Sequence, residues 1–593
     1  MGNILKVDLT AGSIHEEHLE DGFFRTWLGG YGLGVRVLYS DLPAQTDPLG
    51  PASIVGFTTG LLTGTLTPFS GSFTVVGKSP LTGTWGDSRG GGFFGPELKR
   101  AGFDAVFVAG RAATPVYLWI HDGEAEIRDA EAVWGRNVSE TEDVLKDVHR
   151  DRRVQVVSIG TAGEKLSLIS AIMTDEGRAA GRQGLAAIMG SKRLKAVAVR
   201  GTRRLSINDM DKLIELRKVA LDATKKNPMY TTFSKYGTTG GTAASALSGD
   251  SPVKNWGGVG EDDFPTADKI SGDNVVKYDV GPYGCFGCPV ACGGLQRVES
   301  GPYAVTGHKP EYETLAAFGT TCLNDNVESI IYLNHICNNY GLDTISAGGT
   351  IAFAIECYEQ GVISKTETDG IALEWGNHHA IVEMTEKLAK REGFGDVLAD
   401  GVRVAAEKIG KGSEKYAIHV CGQELPMHDP RDVTNPYNKK NALMYVADAT
   451  PARHTQSPHE GFAMQATGVC SFGSFLGGGG ENMPQITDFV NAVTGWKVTT
   501  SDMLVIGDRI ATMRQAFNVR EGLTPADFKY PNRVLGKPPL KSGPLAGITI
   551  EKQVKLQVGE YFESMDWDLK TGKPSRKKLV ELGLEDVARD LWG

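Results

Sequence analysis

Three cysteines fall within eight residues, Cys285-Phe-Gly-Cys288-Pro-Val-Ala-Cys292, and a fourth, Cys470, stands far downstream in Thr467-Gly-Val-Cys-Ser-Phe. Three thiolates so close can wrap one corner of a compact ion or cluster, and the distant fourth closes such a site only if the fold brings two remote segments together. The pattern points to an electron-carrying centre of the 4Fe–4S kind. Zinc is the plain alternative, although structural zinc usually takes two C-x2-4-C knuckles or one knuckle with paired histidines, and no second half is present. A disulfide framework is not needed by a chain of 593 residues, which buries an ample core without staples. Cys322, Cys337, Cys357 and Cys421 stand singly in apolar surroundings and read as small buried hydrophobes.

The remaining composition narrows the setting. A formal net charge of -10 argues against a nucleic-acid partner. No apolar run reaches the roughly 18 residues of a membrane helix. The start Met1-Gly-Asn-Ile-Leu-Lys6 has neither a signal-peptide core nor the Ser/Thr of a myristoylation site, so a cytoplasmic protein is expected. Glycine is abundant, 75 residues, nearly twice the usual share of about 7%. These glycines cluster among apolar residues, where backbone must approach something closely.

The pattern changes near residue 208. Before it, β-branched and aromatic runs such as Phe73-Thr-Val-Val-Gly77, Ala105-Val-Phe-Val-Ala109, Val116-Tyr-Leu-Trp-Ile120, Val154-Gln-Val-Val-Ser158 and Ala196-Val-Ala-Val-Arg200 alternate with Gly and Pro punctuation. After it, Met210 to Lys225, Val327 to Tyr340, Ile381 to Arg391 and Gln485 to Thr494 carry apolar residues at helical spacing. The expected architecture is α+β: a β-rich domain over 1–208, then helical domains over 209–415 and 416–593. Glycine density peaks at Gly60 to Thr65, Gly83 to Gly95 and Gly177 to Lys192, with Arg, Ser and Thr interleaved. Such loops suit the phosphates and ring nitrogens of a large anionic cofactor, although each alone also serves tight turns. They match neither the Rossmann nor the Walker spacing, so a nucleotide is not indicated.

Two polar groups complete the picture. Lys309-Pro-Glu-Tyr-Glu313 brings two carboxylates to the start of a helical stretch, where one could cap the helix. Ala452-Arg-His454-Thr places a histidine 16 residues before Cys470. Near one metal, a carboxylate and a histidine could share the proton transfers of carbonyl hydration and oxidation.

Taken in order, Gly60-Leu-Leu-Thr-Gly-Thr65, Gly77-Lys-Ser-Pro-Leu-Thr-Gly83, Gly95-Pro-Glu-Leu-Lys99, Arg178-Ala-Ala-Gly-Arg182, the Cys285 cluster, Pro310-Glu-Tyr-Glu313, Gly341-Leu-Asp-Thr344, Glu424-Leu-Pro-x-x-Asp-Pro-Arg431 and Ala516-Phe-Asn-x-Arg520 resemble the aldehyde:ferredoxin oxidoreductase family over the whole chain. The resemblance implies a tungsten or molybdenum bis-pyranopterin, one 4Fe–4S cluster on Cys285, Cys288, Cys292 and Cys470, and magnesium between the pterin phosphates. It implies Glu313 as base and His454 as active-site histidine. Cofactor contacts are implied at Ser72, Arg89, Gly90, Gly91, Arg178, Arg182, Asn338, Gly341, Leu342, Asp343, Gln465 and Val469. The implied reaction converts an aldehyde and water to a carboxylic acid, with electrons passing to ferredoxin or an iron–sulfur partner subunit in an oligomer or hetero-complex. An aromatic acyl-CoA reductase of the benzoyl-CoA type, or a subunit of an electron-bifurcating complex, is the alternative.

The chain also departs from the family pattern. Ser72 stands where relatives carry an Arg between cluster and pterin, and Arg89 lies near a position that is Asn in them. Asn338 and Gln465 replace acids whose oxygens accept from pterin amines. Tyr332 replaces the Glu of an E-x-x-H pair that holds a metal at a homodimer contact, while His335 is retained.

Overall fold

The computed structural model describes residues 2–477 and 484–593. The β-branched runs form two six-stranded sheets within the first 200 residues. The first orders its strands Ser13–His18, Asn3–Asp8, Ala105–Ala109, Val55–Thr59, Phe73–Lys78, Trp85–Gly90; the second orders them Arg178–Ala180, Ile172–Thr174, Gln155–Ile159, Leu194–Arg200, Val116–His121, Glu124–Asp129. Every residue of Phe73–Lys78 is buried, as expected of an inner strand covered on both faces. One core joins the sheets, with Val55, Phe57, Val75 and Val106 from the first meeting Leu118, Ile159, Val197 and Val199 from the second. The short helix Phe94–Ala101 contributes Phe94, Leu98 and Ala101 to that core. The other face of the first sheet receives helix Gly30–Asp41, where a Cβ on Gly34 would meet Val76 Cγ1 at 2.7 Å, so only glycine lets the helix seat.

Beyond residue 208 the chain is mostly helical. Val327–Tyr340 starts on Asn326, whose side chain accepts from Ser329 N, and stops at Gly341 in the left-handed conformation, φ 73°. Thr500–Arg520 opens on a Thr499/Asp502 capping box and runs buried from Ile510 to Asn518. Chain order and packing order differ at one point. Helix Met210–Lys226 buries Leu213, Leu216 and Ala220 in the core shared by the first sheet and the C-terminal helices, rather than in the core of residues 246–417.

A three-stranded sheet, Asp279–Tyr283, Gly293–Val298 and Val305–His308, has no counterpart among the sequence expectations. Its first hairpin loop carries Cys285, Cys288 and Cys292. Cys322, Cys337 and Cys357 are fully buried, and Cys421 donates its thiol to Asp527 O. Among the described residues no helix is long and apolar enough to cross a membrane.

Candidate functional site

The cysteine end is assembled by backbone hydrogen bonds between loops. Phe69 N donates to Gly287 O (3.0 Å) and Cys470 N donates to Phe69 O (2.9 Å), so residue 69 ties the three-cysteine loop to the fourth cysteine. Phe286 N donates to Gly92 O (3.1 Å), and a Cβ on Gly91 would meet Cys285 Sγ at 2.7 Å. Gly91 lets the sheet edge lie against the Cys285 thiol, and Gly92 leaves room for Asp175. All four cysteines are free and half-buried. Burial pushes the Cys470 thiol up to about 11, and burial with Glu311 nearby raises Cys292 well above the usual thiol range.

Two arginines face this cage. Arg178 acts on Cys285 and Cys292, and its Nε and Nη2 are buried without hydrogen-bond partners, while Nη1 donates to Glu311 Oε1 at 3.1 Å. Gly293 clears its path, since a Cβ there would sit 2.0 Å from Nη2. Arg89 donates to Val469 O (2.8 Å), lies near enough to stabilise the Cys470 thiolate, and keeps a buried, unpartnered Nε. Arg89 thus brings a guanidinium to the Cys470 side of the cage, while Ser72 offers none. Unpaired cationic donors around four thiols fit an anionic iron–sulfur cluster. The spacing disfavours zinc: Zn–S bonds of about 2.3 Å set the sulfurs roughly 4 Å apart, whereas among the described residues no three of these cysteines bring their sulfurs within 4.8 Å of one another.

The acid–base end lies two residues from Arg178's partner Glu311. Glu313 sits in the short helix Tyr312–Leu315, which passes directly into a π-turn, Ala316–Thr320, an irregularity frequent at functional sites. Neither carboxylate caps this helix. Thr238 Oγ1 accepts from Tyr312 N (2.8 Å), Glu311 pairs with Arg178 and Thr238, and Glu313 Oε2 accepts from Met427 N (2.8 Å). Glu313 Oε1 is buried with no hydrogen-bond partner, 3.4 Å from His454 Nε2 and 3.6 Å from His428 Nε2. Burial raises the Glu313 pKa against the opposing pull of His428. Burial, with the cations of His428 and Arg182 nearby, drives His454 well below the ordinary imidazole range. A carboxyl inclined to hold a proton and an imidazole inclined to stay neutral thus share one pocket.

His454 is aimed by its backbone. Its carbonyl accepts from Tyr437 Oη (3.1 Å) and Lys440 Nζ (3.2 Å), Ala452 O accepts from Arg182 Nη1 (2.7 Å), and Arg453 pairs with Asp87. Asp87, fully buried, also binds Arg514, Thr450 and Trp85 Nε1, which locks the His454 loop onto the first sheet. Sequence reasoning missed His428 and its partner Asp250, although His428 lies within Glu424-Leu-Pro-Met-His-Asp-Pro-Arg431.

Between these ends the glycine-rich loops converge. Gly60 and Gly468 press together, a Cβ on Gly60 reaching Gly468 N at 2.0 Å, and Ser72 N donates to Gly468 O. Gly341 O accepts from Ala171 N (2.8 Å), and Leu342 bridges to Ser170. Gly90 ends its strand against the Phe73 ring. Not every expected cofactor residue keeps free valences. Arg182 spends its three nitrogens on Asp343, Ala452 O and Glu424 O; Asp343 caps helix Thr344–Glu359; Gln465 accepts from Tyr31 Oη (2.8 Å) and donates to Thr455 O (3.1 Å). Ser72 and Asn338, 7% and 8% exposed, have no side-chain partner among the described residues. Close-set glycine backbone beside unpaired polar side chains fits a large polar cofactor.

Comparison with known proteins finds matches along the whole chain. The family model described as aldehyde ferredoxin oxidoreductase, N-terminal domain, matches residues 4–201, and that for domains 2 and 3 matches 215–462 and 456–584. The tungsten-containing aldehyde ferredoxin oxidoreductase of Pyrococcus abyssi is 37% identical across 99% of both chains. The aliphatic sulfonate oxidoreductase, WOR-like subunit, of Pyrococcus furiosus is 31% identical over 100% of this chain and 98% of its own. Among solved structures, the active site complex BamBC of benzoyl coenzyme A reductase with 1,5 dienoyl-CoA superposes with a TM-score of 0.81 at 24% identity, covering 100% of this chain and 98% of that one, which is a likeness of fold.

Proposed function

From the premise that the chain belongs to the aldehyde ferredoxin oxidoreductase family, we propose that it oxidises an aldehyde with water to a carboxylic acid. The observation that carries this reading is the buried, unpartnered Glu313 Oε1 facing a neutral His454. Cys285, Cys288, Cys292 and Cys470 would hold a 4Fe–4S cluster. Ser72, Asn338, Gly90, Gly91, Gly341, Leu342 and Val469, with Arg89, Arg178, Arg182, Asp343 and Gln465 framing them, would enclose a tungsten bis-pyranopterin with magnesium at its phosphates. When bound, the metal pterin supplies a two-electron acceptor and the cluster a one-electron outlet to ferredoxin or an iron–sulfur subunit.

The chain's own residues do the rest. Glu313 Oε1 takes a proton from water or the hydrated aldehyde, and a carboxylate whose pKa is raised by burial is well matched to that task near neutrality. His454, held neutral, donates its ring N–H to the oxygen on which charge develops. Met427 N fixes Glu313 Oε2, so the free oxygen keeps its aim. Glu311 and Arg178 join this helix to the cysteine loop, placing proton and electron handling one ion pair apart. The fold shared with the benzoyl-CoA complex does not by itself favour ring reduction. Anaerobic purification, metal analysis and aldehyde-dependent viologen reduction form the test: tungsten and iron with aldehyde activity support the reading, and zinc without iron overturns it.

A further inference from the structure

We propose that His428 and Asp250 form the proton exit of this site, carrying protons from Glu313 toward solvent. This rests on the proposed aldehyde oxidation, in which aldehyde plus water gives carboxylic acid, two protons and two electrons. The electrons leave singly through a one-electron iron–sulfur acceptor. The protons arrive at Glu313, which is largely buried, and a second turnover is blocked until they depart.

The geometry offers a path. His428 Nε2 stands 3.6 Å from Glu313 Oε1, and His428 Nδ1 is 3.0 Å from Asp250 Oδ1. Asp250 Oδ1 also accepts from Asn438 Nδ2 (2.7 Å), which holds the carboxylate in place. An Nδ1–H directed at Asp250 leaves Nε2 as the nitrogen that exchanges a proton with Glu313, accepting it when the ring is neutral and carrying it when the ring is charged. The ring is held between Tyr312, with centroids 4.8 Å apart, and the edge of Tyr437 at 5.0 Å, while Tyr445 Oη donates to the His428 carbonyl. The other charged or titratable groups near it are Lys440 and His454. Despite burial, Asp250 and Glu313 hold the His428 pKa above the ordinary imidazole value, and His428 in turn lowers that of Asp250. A proton therefore rests on His428 rather than on Asp250. The side chains of His428 and Asp250 keep 18% and 12% of their surface accessible, and a cavity of about 10 Å³ lies near Asp250, lined by its neighbours Gly249 and Ser251 and by Asp429, whose N–H donates to Asp250 O at 2.7 Å. Ser542 and Pro544, both exposed, also line it.

His428 acts through Glu313, so a purely structural role has to be separated from a relay. In the holoenzyme, H428A is expected to lower steady-state turnover about 10²-fold, the low end for a positioned acid–base group, and imidazole in the buffer to restore a large part of it. Unchanged turnover, or a loss that imidazole does not relieve, overturns the relay. Infrared titration of the Glu313 carboxylic acid band, assigned with E313Q, decides the same question without turnover. In H428Q the band's midpoint should rise by about one pH unit, because a neighbouring cation is lost, and an unmoved midpoint overturns the coupling. A wild-type protein that turns over no aldehyde would retire the proposed function, while the infrared midpoint would still decide the relay.

Discussion

The cysteine cage and the Glu313 pocket are equally sequestered, yet they balance buried charge in opposite ways. Around the thiols the compensating groups are the guanidinium ions of Arg178 and Arg89. Around Glu313 they are the imidazoles of His428, whose pKa is raised, and His454, whose pKa is driven down, with the Asp250 carboxylate held charged beside His428. Fixed cations suit a site whose charge changes by electrons, because nothing need move when the charge moves. Titratable neighbours suit a site whose charge changes by protons. The Arg178–Glu311 pair, 3.1 Å, sits at the seam between the two.

The strongest way to break this comparison is at Cys470, the only proposed ligand outside the hairpin loop. C470S should remove the cluster and with it electron transfer to any external acceptor, exceeding the roughly 10–100-fold losses seen when only a supporting partner of a metal ligand is changed. Iron content and the visible spectrum read this directly. Undiminished iron in the variant would show that Cys470 is no ligand. At the other end, E313Q keeps shape but removes the base, and kcat should fall by about 10²- to 10⁴-fold with iron and tungsten content unchanged. If E313Q lost its iron as well, the two ends would not be separable in the way proposed.

How far the sequence announced these two ends differs for a physical reason. The sheets were legible because Phe73–Lys78 and Leu194–Arg200 are short runs rich in β-branched and apolar residues, and the capped helices because Asn326 and Gly341 mark their ends. The hairpin bearing the cysteines was not, since its strands Asp279–Tyr283 and Gly293–Val298 are short and rich in Gly and Pro, a composition that reads as loop. Glu313 and His454 were reachable through ordered motifs. His428 and Asp250 were not, because their contact spans 178 residues of chain and neither periodicity nor spacing encodes a tertiary neighbour. The expectation that a carboxylate caps the Glu313 helix failed for a similar reason: Thr238, far upstream, takes the N–H that local reasoning gave to a neighbouring acid.

A third outcome supplies the baseline for buried imidazoles that lie in neither end. His419, whose Nδ1 accepts from Gly422 N, has its pKa lowered to about 4 by burial and by Arg403. The folded state therefore binds fewer protons than the unfolded chain between pH 6.5 and about 4. Its contribution to stability is complete above pH about 6.5 and is lost as pH falls toward 4, on the order of 1–2 kcal/mol by pH 5. Urea midpoints measured at pH 7 and pH 5 should diverge accordingly, and H419N, which can still accept from Gly422, should narrow the gap. His454 acts with the same sign, so the gap should not close. A variant as acid-sensitive as the wild type would assign the slope to other groups.

The smallest expected effect concerns a place that belongs to neither end, the remnant of the E-x-x-H pair. Tyr332 donates to Glu386 Oε1 at 3.2 Å, and His335 Nε2 is already engaged by Asn339 Nδ2 at 2.8 Å, while Gly307 lies against the ring. Burial lowers the His335 pKa, so the ring is neutral, and its Nε2 is committed to Asn339 within its own helix. A metal shared between two copies would have to displace Asn339 and would find no carboxylate at position 332, a poor site for a cation that favours mixed nitrogen and oxygen ligands. H335A should therefore leave tungsten, iron and turnover as they are and cost about 1 kcal/mol, the typical loss from one hydrogen bond. Native mass spectrometry of wild type and variant decides it. The same mass and the same metals in both would fit a histidine that serves only its own chain, whereas a wild-type dimer that carries an extra metal ion and falls apart in H335A would show that the bridge survives the loss of its carboxylate.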